Sequence, residues 1–367
     1  MQPFSADGSS PGRDSASAQP AGPRPSRRPF GHTGLMLPPV VFGTTNLGNL
    51  FVAPSAETKR ELIRSWFCQF SGPIAIDTAG KYGAGLALDV LGRELRNLGI
   101  DADDVVISNK LGWRRVPLRG DQPTFEPGVW IDLKHDAVQA IGREGILRCW
   151  DEAAETLRPF RQQLVSVHDP DEYLQAAASP ADREHRLGQI LDAYHALERL
   201  REAGDVRGVG VGAKDWRVIE ELDRHCQFDW VMLANSLTIM RHPPELLRFV
   251  ESLAAKGVAI INSAVTHGGF LTGGSFLDYR KLDASDPVHS EAIRWRGRYQ
   301  QVCAAVGVSP YDAAVAFGAA HPAVNAVAVS TSRPERVGAM VSAASEPVPP
   351  RLWDALRQER LISVVFS

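Results

Sequence analysis

Short apolar runs alternate with longer amphipathic stretches along most of this chain. Runs typical of strands that are buried on both faces occur at eight places: PVVFGT (39–44), PIAIDT (73–78), DVVISNK (104–110), QLVSVHD (163–169), VRGVGVG (206–212), DWVMLA (229–234), GVAIINS (257–263) and AVAVST (326–331). The stretches between them have the spacing of amphipathic helices, and one of these, residues 187–204, ends on Gly204 as a C-terminal cap would. The pattern predicts eight strand–helix units around a parallel sheet.

The number and order of these units favour a single-domain (β/α)8 TIM barrel over an open doubly wound sheet. An open dinucleotide-binding sheet would carry G-x-G-x-x-G after its first strand, where this chain reads FGTTNLGNL (42–50). Three connections are long, at 111–139, 170–180 and 264–287, after the third, fourth and seventh predicted strands. Because barrel active sites lie at the C-terminal ends of the strands, we expect these loops to shape a substrate site.

Composition separates residues 1–29 from the barrel, which we assign to residues 30–367. The first 29 residues are rich in Ser, Pro, Ala and Gly and lack the apolar segment of a secretory signal. They are predicted to be a disordered leader of a cytoplasmic protein, although their Arg and Ser content leaves a transit peptide as an alternative.

Charge and cysteine usage narrow the classes of partner. The formal net charge is −3 and no run approaches the roughly 18 apolar residues of a membrane helix, so we expect neither nucleic acid nor a membrane as partner. The four cysteines are far apart in sequence and have no histidine at metal-ligand spacing. We therefore expect buried, reduced thiols and no metal site. The oligomeric state is left open.

Four polar residues stand at the ends of three consecutive predicted strands. Asp77 ends the second strand, with Tyr82 in the loop just beyond it, while Lys110 ends the third strand and His168 ends the fourth. Each of these residues alone is more often an ordinary surface or loop residue. Neighbouring strand ends converge on one mouth of a barrel, however, so the set predicts a single catalytic pocket.

These four residue types suit proton transfer to a carbonyl oxygen. A phenol is a weak acid at neutral pH, and the charge of Lys110 is expected to lower the pKa of Tyr82. Asp77 would keep the lysine charged and oriented, and His168 would hydrogen-bond the substrate oxygen. The sequence thus predicts Tyr82 as general acid and base, with the other three residues supporting it.

The chain resembles the aldo-keto reductases over residues 30 to about 345. The segment 28–48 is similar to that family's opening hairpin and first strand, IDTAGKYGAG (76–85) resembles its D-T-A-x-x-Y-G element, and VVISNKLG (105–112) and LVSVHDPD (164–171) resemble its lysine and histidine strands. The resemblance implies hydride transfer between NAD(P) and a carbonyl or sugar C1 carbon, with Asp77, Tyr82, Lys110 and His168 as catalytic tetrad. Segments 208–216 and 232–240, with 259–274, are similar to the L-fucose, D-threo-aldose and L-galactose dehydrogenase branch.

For the cofactor, the resemblance implies contacts from several strand ends. Gly212 and Ala213 stand where the family commonly has Ser-Asn, and Leu237 stands where an aromatic residue commonly stacks on the nicotinamide. The implied cofactor-binding residues are Gly43, Thr44, Thr45, Asp77, Gly212, Lys214, Leu237, Ser263, Ser330, Ser332, Arg333 and Arg336.

Cofactor choice and substrate contacts are predicted from fewer residues. Arg333 and Arg336, in the turn after the last strand, could pair with the 2′-phosphate of NADP or stack on adenine, so NADP is favoured and NAD stays an alternative. Trp113 and Trp130 flank the long third loop, and Trp113 is predicted to contact a small-molecule sugar or aldehyde substrate with His168. The alternative function is a catalytically weak nucleotide-binding barrel that acts as a regulatory subunit.

Overall fold

A computed structural model describes residues 26–366, in which apolar strands form a closed parallel barrel. Fourteen strands occur in these residues: β1 (Arg28–Pro29), β2 (Met36–Leu37), β3 (Val40–Gly43), β4 (Ile74–Ala79), β5 (Val105–Leu111), β6 (Trp113–Pro117), β7 (His135–Gln139), β8 (Gln162–His168), β9 (Gly208–Ala213), β10 (Trp230–Ala234), β11 (Ala259–Ser263), β12 (Phe276–Leu277), β13 (Arg280–Lys281) and β14 (Val324–Val329). Eight of them close the barrel in the order β3, β4, β5, β8, β9, β10, β11, β14. Both ends of each predicted strand lie within two residues of the observed ends, which confirms the TIM-barrel prediction.

Helices cover the outside of this barrel, as the amphipathic stretches predict. They are α1 (Ala56–Phe67), α2 (Leu86–Asn97), α3 (Arg143–Leu157), α4 (Pro170–Gln175), α5 (Pro180–Ala203), α6 (Trp216–Leu222), α7 (Pro244–Ala255), α8 (Pro287–Val306), α9 (Pro310–Ala320), α10 (Val337–Ser345) and α11 (Pro350–Gln358). Short 3-10 turns lie at Thr45–Gly48, Ala102–Asp104, Phe270–Thr272 and Pro334–Arg336. Gly204, with φ of 81°, caps α5 in the left-handed region.

An N-terminal hairpin closes the bottom of the barrel. Strands β1 and β2 pair antiparallel, and Phe30 and Leu37 are buried against barrel-interior residues such as Val41 and Trp230. The hairpin begins at Arg28, close to the predicted boundary between leader and barrel at residues 29 and 30. The leader prediction otherwise falls on residues 1–25, which lie outside the described part of the chain.

The interior of the barrel is filled with side chains below the mouth. Trp230 is fully buried there, and a side chain at Gly210 would meet its ring at 2.5 Å, so this position has to be glycine. The polar residues of the predicted site lie above this apolar layer, towards the C-terminal ends of the strands.

The three long connections leave that same end of the barrel. Residues 111–139 contain the antiparallel hairpin β6–β7, residues 170–180 contain α4, and residues 264–287 contain a 3-10 turn and the hairpin β12–β13. These connections form walls around the mouth.

Two further expectations concern cysteines and membrane spans. Cys149, Cys226 and Cys303 are free and buried as expected, but Cys68 at the end of α1 is exposed because it lies on the solvent side of that helix. In the described residues no single helix is long and apolar enough to cross a membrane. The pair α8 and α9, bent by 98°, reaches that length and apolarity only when the two helices are taken together.

Candidate active site

The four predicted catalytic residues meet in one cavity of about 750 Å³ at the barrel mouth. Lys110 Nζ donates to Asp77 Oδ2, and Ser108 Oγ donates to Asp77 Oδ1 over 3.3 Å. Lys110 Nζ lies 4.9 Å from the centre of the Tyr82 ring, and the His168 ring meets that ring edge-on at 5.5 Å between centres. Parallel strands in register bring these residues together, as the sequence predicts.

Close backbone packing positions the Tyr82 loop. A side chain at Gly83, which has φ of 63°, would meet the Gly48 carbonyl oxygen at 2.4 Å, and a side chain at Gly48 would meet the Tyr82 backbone at 2.8 Å. Glycine at both positions lets the 3-10 turn after β3 lie directly against the loop after β4. The tyrosine is therefore held by its backbone.

Burial of the site shifts the pKa values of three members of the tetrad. Removal from water raises the pKa of Asp77, although the Lys110 charge opposes this. Burial and the negative charge of Asp77 raise the pKa of Tyr82 well above its usual value. Burial, with a smaller contribution from nearby lysines, lowers the pKa of His168 well below its usual value. Tyr82 is thus a protonated phenol and His168 a neutral imidazole at physiological pH.

This result corrects the expectation that Lys110 lowers the pKa of Tyr82. The lysine ammonium is neutralised by Asp77, with which it forms a buried ion pair, and the carboxylate acts on the phenol with the opposite sign. In the state described, Tyr82 is suited to donating a proton.

Gly212 makes room for the lysine. A side chain at this position would come within 3.1 Å of Lys110 Cδ. Glycine at the end of β9 thus leaves space for the stem of Lys110, whose Nζ lies 3.9 Å from Met232 Sδ.

A group of five charged residues, two of them buried and three half-buried, borders the tetrad, and we call it the ion-pair cluster. Its members are Lys81, Glu126, Asp169, Glu172 and Lys214. Lys81 precedes Tyr82 and Asp169 follows His168, so the cluster lies beside both. Among these residues only Lys214 was predicted at the site, and its ammonium pairs with Glu172 at 2.5 Å. The other four are brought together by loops distant in sequence, and no local signal identifies them.

The far end of the cavity differs from this buried part. Ser330, Ser332, Arg333 and Arg336 line it, and Ser330 Oγ lies 3.1 Å from Thr45 Oγ1. Both arginines are exposed, and neither forms an ion pair within residues 26–366. Hydroxyl groups and two unpaired guanidinium groups before helix α10 suit the phosphates of a dinucleotide, so the residues present fit a nicotinamide cofactor.

Most of the predicted cofactor contacts line the same cavity. Gly43, Thr45, Asp77, Gly212, Lys214 and Ser263 lie on its walls with the four residues above. Thr44 does not, because it is fully buried and its Oγ1 donates to the Asp77 carbonyl oxygen over 3.0 Å. Its role is to join the ends of β3 and β4.

Two predicted contacts lie elsewhere. Leu237 is fully buried in the main hydrophobic core, so the expectation that it contacts the nicotinamide is wrong. Trp113 packs behind the cavity, where its ring lies 4.9 Å from Lys81 Nζ, so it supports the lysine and does not reach the substrate space. Hydrophobicity alone could not distinguish an apolar wall of the cavity from the core.

Other aromatic side chains line the cavity in their place. Trp130 lies 6.0 Å from the Tyr82 ring, and Tyr279 on the β12–β13 connection lies opposite the cluster, with Lys214 Nζ 5.2 Å from its ring. Phe51 stacks on Tyr279 at 6.3 Å. Within the described residues, no group of three or more His, Cys, Asp or Glu side chains is arranged to hold a metal ion.

Known proteins share this sequence pattern and fold. The sequence model described as "Aldo/keto reductase family" matches residues 39–359. A pyridoxal 4-dehydrogenase of Microbacterium luteolum is 26% identical over 92% of this chain and 98% of its own length. A D-threo-aldose 1-dehydrogenase of a Pseudomonas species is 26% identical over 90% of this chain and 96% of its own length.

A solved structure shows the same fold. The glycerol dehydrogenase of Gluconobacter oxydans superposes with a TM-score of 0.64 over 93% of this chain and 98% of that chain, at 14% identity.

Proposed function

Since this chain belongs to the aldo/keto reductase family, we propose that it transfers a hydride between a nicotinamide cofactor and the carbonyl or hemiacetal carbon of an aldose or small aldehyde. The observation that carries this proposal is the meeting of Tyr82, Lys110, Asp77 and His168 in one cavity that Arg333 and Arg336 also line. An intact tetrad supports an enzyme over a catalytically weak regulatory barrel.

Tyr82 is the proton donor in this proposal. The cofactor, when bound, supplies the hydride to the carbonyl carbon in reduction and accepts it in oxidation. In reduction the carbonyl oxygen takes the phenolic proton of Tyr82, while neutral His168 donates a hydrogen bond to the same oxygen. Oxidation of a hemiacetal runs both steps backwards from the phenolate form of Tyr82, which accepts the hydroxyl proton while the hydride passes to the cofactor, and the product is a lactone.

Lys110 and Asp77 act through Tyr82. The Lys110 ammonium, 4.9 Å from the tyrosine ring, offsets part of the negative charge that develops on the phenol oxygen as its proton leaves, although burial and Asp77 keep the resting pKa of Tyr82 high. Asp77 holds that ammonium in place through their ion pair. Both are therefore required for the rate even though neither touches the substrate in this scheme.

Arg333 and Arg336 favour NADP as the cofactor, and NAD remains the competitor. A 2′-phosphate needs a basic partner, and these guanidinium groups have no partner within the described chain. The relatives named above support aldoses and pyridoxal as the first substrates to test.

A substrate and cofactor panel tests the proposal. Purified protein is incubated with D- and L-aldoses or pyridoxal and with NAD⁺ or NADP⁺, and formation of reduced nicotinamide is followed by its fluorescence. We expect turnover with at least one of these compounds, faster with NADP⁺, and none when the substrate is omitted. Cofactor binding without turnover of any aldose or aldehyde, in either direction, would favour the regulatory alternative.

A further inference from the structure

The ion-pair cluster has a charge balance that bears on the substrate. Two lysines face three carboxylates: Lys81 Nζ lies 3.0 Å from Glu126, 3.0 Å from Asp169 and 2.8 Å from Glu172. Lys214 Nζ lies 2.5 Å from Glu172 and 3.5 Å from both other carboxylates. All but Glu172 line the catalytic cavity. The cluster therefore forms one wall of the space in front of Tyr82 and His168.

The cluster stays charged at neutral pH. Its lysines have a raised pKa, in spite of burial, because carboxylates surround them. The pKa values of Glu126 and Asp169 are lowered by the two lysines, which oppose the effect of burial. Three negative charges against two positive ones leave one net negative charge, while Asp77 and Lys110 cancel each other and His168 is neutral.

The lysines have little capacity left for an anion. Lys81 Nζ donates hydrogen bonds to Asp169 and Glu172 and lies 3.0 Å from Glu126, so three carboxylates surround this ammonium. Asp169, by contrast, uses only Oδ2 for Lys81, and its Oδ1 accepts no hydrogen bond from the described residues. The wall therefore offers an acceptor to a hydroxyl group, and each of its ammonium groups already lies among three carboxylates.

We propose that the ion-pair cluster makes the site specific for uncharged hydroxylated aldehydes and excludes phosphorylated or carboxylated ones. Glu126 is the member of the cluster whose charge is removed by substitution in the test below. This inference rests on the proposed function, because it assigns the substrate class of the same cavity. At separations near 6 Å and an effective dielectric of about 20 to 40, one net charge changes the affinity for an anion about tenfold or more. The cluster is thus a specificity determinant beside the tetrad.

Two pairs of substrates test this proposal. We compare 4-nitrobenzaldehyde with 4-carboxybenzaldehyde, which have similar shape, and D-galactose with D-galacturonate, using wild type, Glu126→Gln and Glu61→Gln. Glu61 is an exposed partner of Arg64 on α1 and changes the net charge of the protein equally. We expect kcat/KM to be at least about tenfold higher for the neutral member in wild type and Glu61→Gln, and this ratio to fall severalfold in Glu126→Gln.

The ratio separates specificity from structural damage. A variant that merely loosens the loop lowers kcat/KM for both members alike. Equal kcat/KM for both members in wild type, preference for the anion, or an unchanged ratio in Glu126→Gln would each overturn the proposal. Absence of turnover with every compound would contradict the proposed function instead. In that case binding is measured by quenching of the tryptophan fluorescence, to which Trp130 in the cavity wall contributes. Tighter binding of the neutral compound supports the cluster's role, and equal binding overturns it.

Discussion

The two ends of the catalytic cavity differ in how their charges are satisfied. At the barrel mouth, Lys81 and Lys110 are nearly inaccessible to solvent and each is paired with protein carboxylates. At the other end, Arg333 and Arg336 are exposed and unpaired within residues 26–366. Charges that the protein itself neutralises can orient a reacting group, whereas unpaired charges are available to a ligand phosphate. Under the proposed function, this comparison separates residues that would act in the reaction from residues that would bind the cofactor.

Removing one partner of the buried pair should have the largest effect. Lys110→Met leaves Asp77 buried without a counter-ion, which is expected to lower the free energy of unfolding by about 3–5 kcal/mol at neutral pH. Turnover should also nearly disappear. Chemical denaturation followed by circular dichroism measures the first effect and steady-state kinetics the second.

The double variant Asp77→Asn with Lys110→Met is the control for that experiment. It removes both charges, so most of the lost stability should return while turnover stays low. A double variant as unstable as the single one would mean that the ion pair is not the origin of the stability loss. Asp77→Asn alone should reduce turnover less than Lys110→Met, because it disturbs the lysine only indirectly.

Removing the proton donor should affect the rate without affecting the fold. Tyr82→Phe is expected to lower kcat by about two orders of magnitude or more, the usual size of a general acid–base contribution. Cofactor affinity, measured by fluorescence titration, should be unchanged. Near-wild-type rates in Tyr82→Phe would exclude Tyr82 as the proton donor.

Substitution at the arginine-lined end of the cavity should change cofactor binding and leave the rate of hydride transfer unchanged. Arg333→Ala is expected to weaken NADPH about tenfold or more, since a hydrogen bond to a charged group is lost, and to leave NADH almost unchanged. Arg199→Ala, which removes an exposed arginine paired with Glu202 on α5, serves as control. Equal weakening of NADPH and NADH would mean that Arg333 contacts adenine and not a 2′-phosphate.

The pH profile tests the pKa shifts at the mouth. The pKa of Tyr82 is raised and that of His168 is lowered, so both keep one protonation state across the neutral range. The rate of carbonyl reduction should therefore be flat between about pH 6 and pH 9, where neither group titrates. A deuterated cofactor establishes that hydride transfer is being measured. A decline centred near pH 7 or 8 would indicate a phenol acidified by Lys110.

Asp171, next to the ion-pair cluster, should give the smallest effect. Burial, followed by the charge of Asp169, raises the pKa of its carboxyl group to about 6. A raised carboxyl pKa gives stability that is present below the unfolded value near 4 and lost as the pH rises through about 6. Asp171→Asn should thus have a free energy of unfolding about 1 kcal/mol higher than wild type at pH 7.5, with no gain near pH 4. Thermal unfolding at the two pH values measures this difference.

The hydrogen bonds of Asp171 limit that gain. Its Oδ2 accepts the backbone N–H groups of Lys214 and Asp215, over 3.0 and 2.8 Å, and an asparagine oxygen replaces it less strongly. A variant that is less stable than wild type at both pH values would show that these two hydrogen bonds outweigh the burial of the charge.

Strand positions and the tetrad could be predicted because they depend on local pattern. A strand buried on both faces reads as a continuous apolar run wherever it occurs, and a parallel barrel brings all strand ends to one mouth. Asp77, Lys110 and His168 each end such a run, so their proximity follows from connectivity alone. The glycines around Tyr82 likewise mark a tight turn.

Other parts of the site depend on contacts between distant segments. The ion-pair cluster unites residues 81, 126, 169, 172 and 214, and four of these look like ordinary surface charges in sequence. Leu237 and Trp113 were assigned to the cavity from position, yet packing places one in the core and the other behind Lys81. The choice between a wall and a core position depends on neighbours that the local sequence does not specify.

By itself, the sequence determined the barrel, the order of its strands and the identity of the four residues at its mouth, because each is encoded in hydrophobic periodicity and short-range motifs. Only the tertiary structure decided the protonation state of Tyr82, the charge balance of the ion-pair cluster and the exposure of Arg333. These properties come from desolvation and from Coulomb interactions between groups far apart in the chain, and such energies depend on distances in space.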